Sequence, residues 1–277
     1  PASAQMRFLE SSPHAVDPLA PPTIPDPLVE LPPMRLTLLQ DSGQKLGDER
    51  FEPEVGQAGK DVIWVPTPDS LVKAMLTVAD VKPNDFVVDL GSGDGRIAIA
   101  AARDFGARAL GIEYNPEMVD LARRNAIRAG VGSKATFQQA DIFQTDFSNA
   151  TVVTMYLLPS LNEKLRPTLL KMKPGTRIVS HAFTMGEWEP DRTISTDDAN
   201  GFFWIVPANA AGRWVFEVGA ERFAAEIGQK VQLLSVTRGG PLKDGRVKGS
   251  EVSFTRANGQ QLVGEIAGDQ MHGRGWV

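Results

Sequence analysis

Phe86-Val87-Val88-Asp89-Leu90-Gly91-Ser92-Gly93-Asp94-Gly95-Arg96 decides how the rest of the chain reads. It opens with a short apolar run rich in valine, the pattern of a buried strand. The run ends in an acid, and three glycines follow within five residues. From Arg96 to Phe105 the chain is rich in alanine and carries Ile97 and Ile99, which predicts a helix. Strand, glycine turn and helix follow one another directly. Glycine has no Cβ, so the backbone can turn sharply there and come close to a ligand. The helix start presents free N–H groups and a positive dipole end, suited to a carboxylate or phosphate.

The glycines are spaced G-x-G-x-G, not the G-x-G-x-x-G of a dinucleotide-binding turn, and Asp89 stands just ahead of the first. This resembles motif I of the class I S-adenosylmethionine (SAM) methyltransferases, D-x-G-x-G-x-G in its family form. The plain alternative is a strand–helix turn with no ligand. The resemblance implies an α/β fold: a Rossmann-like, seven-stranded methyltransferase sheet with helices on both faces. It also implies that Asp89, Leu90, Gly91, Ser92, Gly93 and Gly95 surround SAM, or the product S-adenosyl-L-homocysteine.

The following units test this reading. Ala109-Leu110-Gly111-Ile112-Glu113 predicts a second strand ending in an acid. Asn115 and Pro116 have the form of a helix cap and a first-turn proline. The helix should run from Glu117 to about Arg128, with Met118, Leu121, Ala122, Asn125 and Ile127 facing inward, and stop at Gly130. Glu113 stands where an acid can accept bonds from both ribose hydroxyls, and Tyr114 follows it. A third strand, Thr136 to Gln139, leads to Asp141 and Ile142. The resemblance gives Asp141 the adenine amino group and Ile142 the face of the ring. A loop cap is the ordinary role for Asp141.

Composition sets bounds. A chain of 277 residues can bury a sizeable core. Its net charge of −5 carries no general nucleic-acid-binding signature, and no nucleic-acid partner is expected. No apolar run reaches transmembrane length. There is no cysteine, which excludes disulfides, thiolate nucleophiles and Cys-ligated metals. His14, His181 and His272 are far apart in sequence, which argues against a zinc site. The start at Pro1 fits an excised piece as well as an exported protein after signal cleavage. The cytoplasm is the expectation, with export as the alternative.

Three regions follow. Residues 1–58 read as a proline-rich arm or linker, because prolines crowd the stretch from Pro13 to Pro33 and exclude a helix. Met34 to Gln40 allows a short strand or helix, and Asp41 to Lys60 reads as loop. Residues 59–208 read as the SAM-binding domain. Its entry, Trp64-Val65-Pro66-Thr67-Pro68, leads into a helix from Asp69 to Ala79, capped by Asp69 or Thr67 and inward-facing at Leu71, Val72, Met75 and Leu76. The resemblance places this entry over the methionine end of SAM, with Pro66 and Thr67 at the site. There Trp64 can turn its π face to a sulfonium or simply anchor the helix.

Thr151 to Tyr156 reads as the fourth parallel strand. In class I enzymes its end faces the transferable methyl, and many nucleic-acid N-methyltransferases carry Asn/Asp-Pro-Pro-aromatic there. This chain has Tyr156-Leu157-Leu158-Pro159, which argues against base methylation. Together with Val65-Pro66-Thr67 and the motif I stretch, it resembles the lysine methyltransferases of the mitochondrial ATP synthase c subunit and adenine nucleotide translocator, and their bacterial relatives, over about residues 60–185. Tyr156, Thr67 and His181 are the candidate catalytic residues, and Tyr156 also borders the cofactor. Tyr156 would orient an amine. His181, ending the strand Thr176 to Ser180, would accept its proton. A helix from Leu161 to Met172 lies between these strands. Met185 to Asn200 should form a loop over the site's mouth, and Gly201 to Val206 the sheet edge.

Residues 209–277 change character. Strand-like runs alternate with glycine turns: Trp214–Val218, Arg222–Ile227, Val231–Thr237, Glu251–Thr255 and Gln261–Ile266. This predicts a small antiparallel β domain, sheet or barrel. Gly245–Val252 echoes Gly264–Met271, which suggests two similar hairpins. Docking, dimerisation and stabilisation all suit such a module, and the oligomeric state stays open.

The resemblance implies methyl transfer from SAM to an amine, most simply a protein lysine. A small-molecule acceptor, a non-catalytic SAM-binding module and a nicotinamide-dependent oxidoreductase are the competing readings. An open groove at the acceptor end would favour protein, and a narrow closed pocket a small molecule.

Overall fold

In a computed structural model the described residues are 3–8, 51, 53–56, 60 and 63–276. Most of the proline-rich arm, including Met34–Gln40, lies outside them. The first strand, β1 (Ser3–Phe8), belongs to the C-terminal barrel.

The central sheet has seven strands. Five are parallel: β2 (Phe86–Leu90), β3 (Arg108–Glu113), β4 (Ala135–Gln139), β5 (Val152–Met155) and β6 (Arg177–His181). Two more, β7 (Arg192–Ser195) and β8 (Asn200–Ile205), complete the order β4-β3-β2-β5-β6-β8-β7, with β8 antiparallel to both neighbours. A parallel sheet covered on both faces needs strands apolar throughout. The buried runs of β2, β5 and β6 meet that need. The strand order reverses at β2, which lies between β3 and β5. Ligands of open α/β sheets bind at such a point, beyond the strand C-termini.

Alternation along β2 sorts its side chains. Val87 packs with the helices α1 (Asp69–Val78), α2 (Arg96–Phe105) and α3 (Pro116–Arg128), while Val88 and Leu90 face the other side. Alanines 98, 101 and 102 let α2 lie close to the sheet. The second face is covered by α4 (Pro159–Leu169) through Leu165 and Leu169, with Phe147, Trp188 and Trp204. Helices thus flank both faces.

Local expectations were met unevenly. Asn115 caps α3 by accepting the amides of Glu117 and Met118. The inner face of α3 is Met118, Val119, Ala122 and Ala126, while Ile127 is 65% exposed. Helix α1 has Pro68 at its N-cap and no side-chain cap, so neither Asp69 nor Thr67 serves there. Residues 185–200 do not roof the site. Met185 and Trp188 are fully buried on the second face, and Trp204 Nε1 donates to the Trp188 carbonyl at 2.8 Å. These two apolar anchors hold the start of an otherwise polar stretch on the second face. The segment then forms β7, the true edge, so Gly201–Val206 is an inner strand.

The C-terminal region is a closed antiparallel barrel. Its strands are β9 (Gly212–Val218), β10 (Glu221–Lys230), β11 (Leu233–Arg238), β12 (Leu242–Lys248), β13 (Glu251–Arg256), β14 (Gln261–Ala267) and β15 (Gln270–Trp276). The echoed sequences are the hairpins β12–β13 and β14–β15. Their turns are Gly249-Ser250, between paired Lys248 and Glu251, and Gly268-Asp269, between paired Ala267 and Gln270. Trp214, Phe216, Phe254, Leu262 and Met271 fill the core. β1 pairs with both β15 and β9 and closes the ring, so part of the presumed arm is barrel.

The barrel sits at the N-terminal ends of the sheet strands. The Ala208 amide donates to Gly249 O at 2.7 Å, and Gln232 Nε2 donates to Glu189 O at 2.9 Å. Arg177 pairs with Ile205 at this end, while His181 pairs with Gly201 at the other. The strand C-termini are therefore at the opposite end of the sheet from the barrel.

Candidate active site

A cavity of about 260 Å³ opens at the C-terminal ends of β2 to β5. Its floor is the glycine loop and its near wall the stretch from Ile63 to Thr67. Of the expected residues, Trp64, Pro66, Thr67, Asp89, Gly91, Ser92, Gly93, Glu113, Tyr114, Asp141, Ile142 and Tyr156 line it. Leu90, Gly95 and His181 do not.

The glycines divide by task. Gly93 has φ 53°, and a Cβ on it would stand 2.8 Å from Trp64 Nε1. The indole therefore lies directly over the loop. Gly95 has φ 83°, but a Cβ there would meet Phe137 at 2.6 Å and Ala122 at 2.9 Å. Gly95 is needed for α2 to start tightly against α3 and β4, not for a ligand. Leu90 points down from β2 into the second-face core, as its place in the alternation requires.

Three carboxylates end three neighbouring strands. Glu113 accepts the Gly93 amide through Oε2 at 3.0 Å and the Asn115 amide through Oε1 at 2.9 Å. Asp141 accepts the Phe143 amide at 2.9 Å and pairs with Lys60 Nζ at 2.7 Å. The Lys60 and Phe143 bonds hold its pKa below the usual carboxylate value. Lys60 also lies 4.8 Å from the centroid of the Tyr114 ring. Asp89 is 2% exposed and accepts the Thr154 hydroxyl at 2.7 Å. Burial pushes its pKa up to about 7 against that bond, helped by the charges of Asp94 and Glu113. Ser92 also lines the cleft, and its Oγ is buried with no hydrogen-bond partner among the described residues.

These groups fit S-adenosylmethionine. The cofactor carries a ribose diol, an adenine amine, an α-amine and a sulfonium, all donors or cations. The cleft answers with three acceptor carboxylates, an unpartnered hydroxyl and an aromatic face. Glu113 would hold the ribose, Asp141 and Ile142 the adenine, and Asp89 with Ser92 the amino-acid end.

The far end is aromatic and apolar: Trp64, Tyr156, Leu157, Leu158, Leu161 and Phe183. Thr67 Oγ1 lies 3.0 Å from His181 Nδ1. His181 itself is 5% exposed and stacked behind Tyr156, with ring centroids 3.7 Å apart. Burial lowers its pKa to about 4. Two observations stand against the expectation that it takes a proton from an incoming amine. It is not among the residues that line the cleft, and burial makes it a weaker base than a free imidazole.

Sequence reading missed several residues of the wall. Arg96 ends the motif I stretch, yet its task is visible only in space. Its guanidinium pairs with Asp94 at 2.7 Å and donates to the Thr67 carbonyl at 3.0 Å, joining glycine loop to near wall. Phe183 reaches the cleft through a tight turn at Ala182, whose φ is 64°. A positive φ at alanine leaves no mark in the sequence. Lys60 had only its nearness to Trp64 to signal it.

Comparison with known proteins agrees with this geometry. The ANTKMT methyltransferase domain family matches residues 89–192, from Asp89 to the start of β7. The protein-lysine N-methyltransferase of Saccharolobus islandicus (strain REY15A) is 47% identical over 141 residues, covering 50% of this chain and 88% of that protein. The adenine nucleotide translocase lysine N-methyltransferase of Mus musculus is 33% identical over 149 residues, which span 64% of its length and 53% of this chain. The crystal structure of an RNA methyltransferase from Salinibacter ruber, in complex with S-adenosyl-L-homocysteine, is 53% identical with a TM-score of 0.51. It covers 52% of this chain and 95% of its own. On the match to nearly the whole Saccharolobus islandicus enzyme, the chain belongs to the SAM-dependent methyltransferase family that includes this lysine N-methyltransferase.

Proposed function

We propose that the protein transfers a methyl group from SAM to the ε-amine of a lysine in a protein. The observation that carries the acceptor reading is the open, apolar mouth of the cleft. No residue of the segment at 185–200 lines the cavity: Met185 and Trp188 are buried on the second face of the sheet and Arg192–Ser195 forms its edge strand, and Leu158 is 42% exposed at the acceptor end. Such a mouth admits one long side chain from a large partner better than it encloses a small molecule. The lysine N-methyltransferases of Saccharolobus islandicus and Mus musculus, as relatives, support the same acceptor.

SAM supplies a methyl group already activated by a sulfonium leaving group. The chain's residues have to bind, align and exclude water. Glu113, Asp141 and Asp89 would hold the cofactor, and Trp64, Pro66 and Thr67 would border its reacting end. The lysine must arrive uncharged. The apolar wall of Tyr156, Leu157 and Phe183 strips water from the ammonium, which lowers its pKa and favours the free amine. In this reading the Tyr156 hydroxyl accepts a hydrogen bond from that amine.

An RNA acceptor is the second reading, favoured by the likeness to the Salinibacter ruber RNA methyltransferase. Against it stand the net charge of −5 and the sequence Tyr156-Leu157-Leu158-Pro159 at the reacting strand end. The test uses methyl-tritiated SAM with total protein and total RNA as separate acceptors. After complete hydrolysis, the label should run with methylated lysine. Label on a methylated nucleoside would overturn the lysine reading.

A further inference from the structure

We propose that His181 is a positioning residue for methyl transfer: it backs the Tyr156 ring at the acceptor end and ties it, through Thr67 and Arg96, to the glycine loop. This rests on the reading that the acceptor enters beside Tyr156.

The geometry is specific. Tyr156 lines the cleft, and the imidazole of His181 stacks on its ring at a centroid distance of 3.7 Å and an interplanar angle of 29°. Phe183 flanks the same ring at 6.2 Å. His181 Nδ1 is held by Thr67 Oγ1 at 3.0 Å. The Thr67 carbonyl accepts from Arg96 at 3.0 Å, and Arg96 grips Asp94 inside the glycine loop at 2.7 Å. An unbroken series of contacts therefore runs from the cofactor-binding turn to the ring that faces the amine.

The backbone around His181 is shaped to the same end. Ala182 takes φ 64°, and the Phe183 amide closes back on the His181 carbonyl at 2.8 Å. A left-handed alanine is strained and persists only where its surroundings enforce it. Here Asn162, fully buried on α4, donates to the carbonyls of Phe183 and Thr184, each at 3.2 Å. The turn sends His181 behind Tyr156 and Phe183 into the wall, which a continued strand would not do. The imidazole is neutral at pH 7, because burial lowers its pKa to about 4. It stacks on the Tyr156 ring and meets the Thr67 hydroxyl, so it is equipped to pack and to hold a hydrogen bond.

The full chain has two tyrosines, Tyr114 and Tyr156. Labelling with 3-fluorotyrosine therefore gives two fluorine resonances, assigned with Tyr114→Phe. The proposal expects the Tyr156 signal to be single and narrow in the wild type. It expects that signal to broaden or split in His181→Ala and Thr67→Val, with SAM affinity changed by no more than about three-fold in His181→Ala. On a lysine acceptor methylated by the wild type, His181→Ala should lower kcat by about 30-fold, as loss of near-attack geometry does. His181→Asn, which keeps a hydrogen-bonding atom near Thr67, should recover part of this. The acid limb of the kcat/KM profile should keep its midpoint in His181→Asn.

Three results would overturn the proposal: a Tyr156 resonance in folded His181→Ala identical to the wild type, an unchanged kcat, or an acid limb that vanishes in His181→Asn. Should His181→Ala fail to fold, by circular dichroism, His181→Gln and Thr67→Val carry the same fluorine comparison. If the wild type labels no lysine, the acceptor reading fails by itself, and the fluorine spectra still decide the role of His181.

Discussion

The backbone amide of Gly93 donates to Oε2 of Glu113 over 3.0 Å. The acid that ends the second parallel strand thus holds the turn that follows the first. Its other oxygen holds the Asn115 amide, so Glu113 joins two loops and faces the cleft at once. Glu113→Gln sets an NH2 group against an amide donor. Loss of a charge-assisted bond of this kind costs about 2 kcal/mol. SAM affinity should fall by about ten-fold or more, as measured by calorimetry, with a lower melting temperature in the absence of cofactor.

Gly93 and Gly95 should separate on substitution, although they stand two residues apart in one motif. Gly93→Ala drives a methyl group into Trp64, with φ 53° adding strain. Binding should suffer most, and Trp64 fluorescence should shift. Gly95→Ala drives a methyl into Phe137 and Ala122. Overpacking of this kind destabilises by about 2 kcal/mol or more. Denaturant unfolding should show that loss, while the folded fraction of Gly95→Ala still binds SAM. Equal effects on binding and stability in the two variants would contradict the division.

Asp89 makes a prediction about pH. Its folded pKa, about 7, lies above the ordinary value of 3.8. The native state therefore binds the extra proton between these values. Stability from this group is full below 3.8 and is lost as the pH rises through about 7. Asp89→Asn stays neutral throughout. At pH 8 and without cofactor it should exceed the wild type by on the order of 4 kcal/mol, and near pH 4 it should match it. Its affinity for SAM should fall nevertheless. A parallel pH dependence in the two proteins would show that Asp89 is not buried as described.

The barrel and the cleft lie at opposite ends of the sheet, which separates their functions. Deleting residues 1–8 removes β1 and leaves β9 and β15 with unpaired edges. Exposed edges promote association. The truncated protein should melt several degrees lower and associate in sedimentation experiments, with SAM affinity held within about two-fold. A large loss of affinity would mean that the barrel reaches the site.

The sequence carried those parts of the site that are local. Asp89 and Glu113 stand at the ends of β2 and β3, the glycines follow β2, and Asp141 comes two residues after β4, so strand periodicity and an acid suffice to place them. The hairpin echo in the barrel is local in the same way. What could not be read depends on distant pairing. β1 looks like the head of a linker because its partners, β9 and β15, lie at the other end of the chain. Met185 and Trp188 look like a polar loop's stray apolar residues until Trp204 is set against them. His181 ends a strand, the place of a candidate base, and only the Tyr156 ring stacked on it shows that it is buried behind the wall. Gly95 shares a motif with Gly93, and only Phe137 tells them apart.

The central claim is that this cleft holds SAM through its strand-end carboxylates. Calorimetric titration of the whole chain with SAM, S-adenosyl-L-homocysteine and NAD tests it most directly, with Glu113→Gln as control. The account predicts micromolar binding of the first two, weak or no binding of NAD, and a clear loss in the variant. Absent SAM binding, or binding indifferent to Glu113, would contradict it.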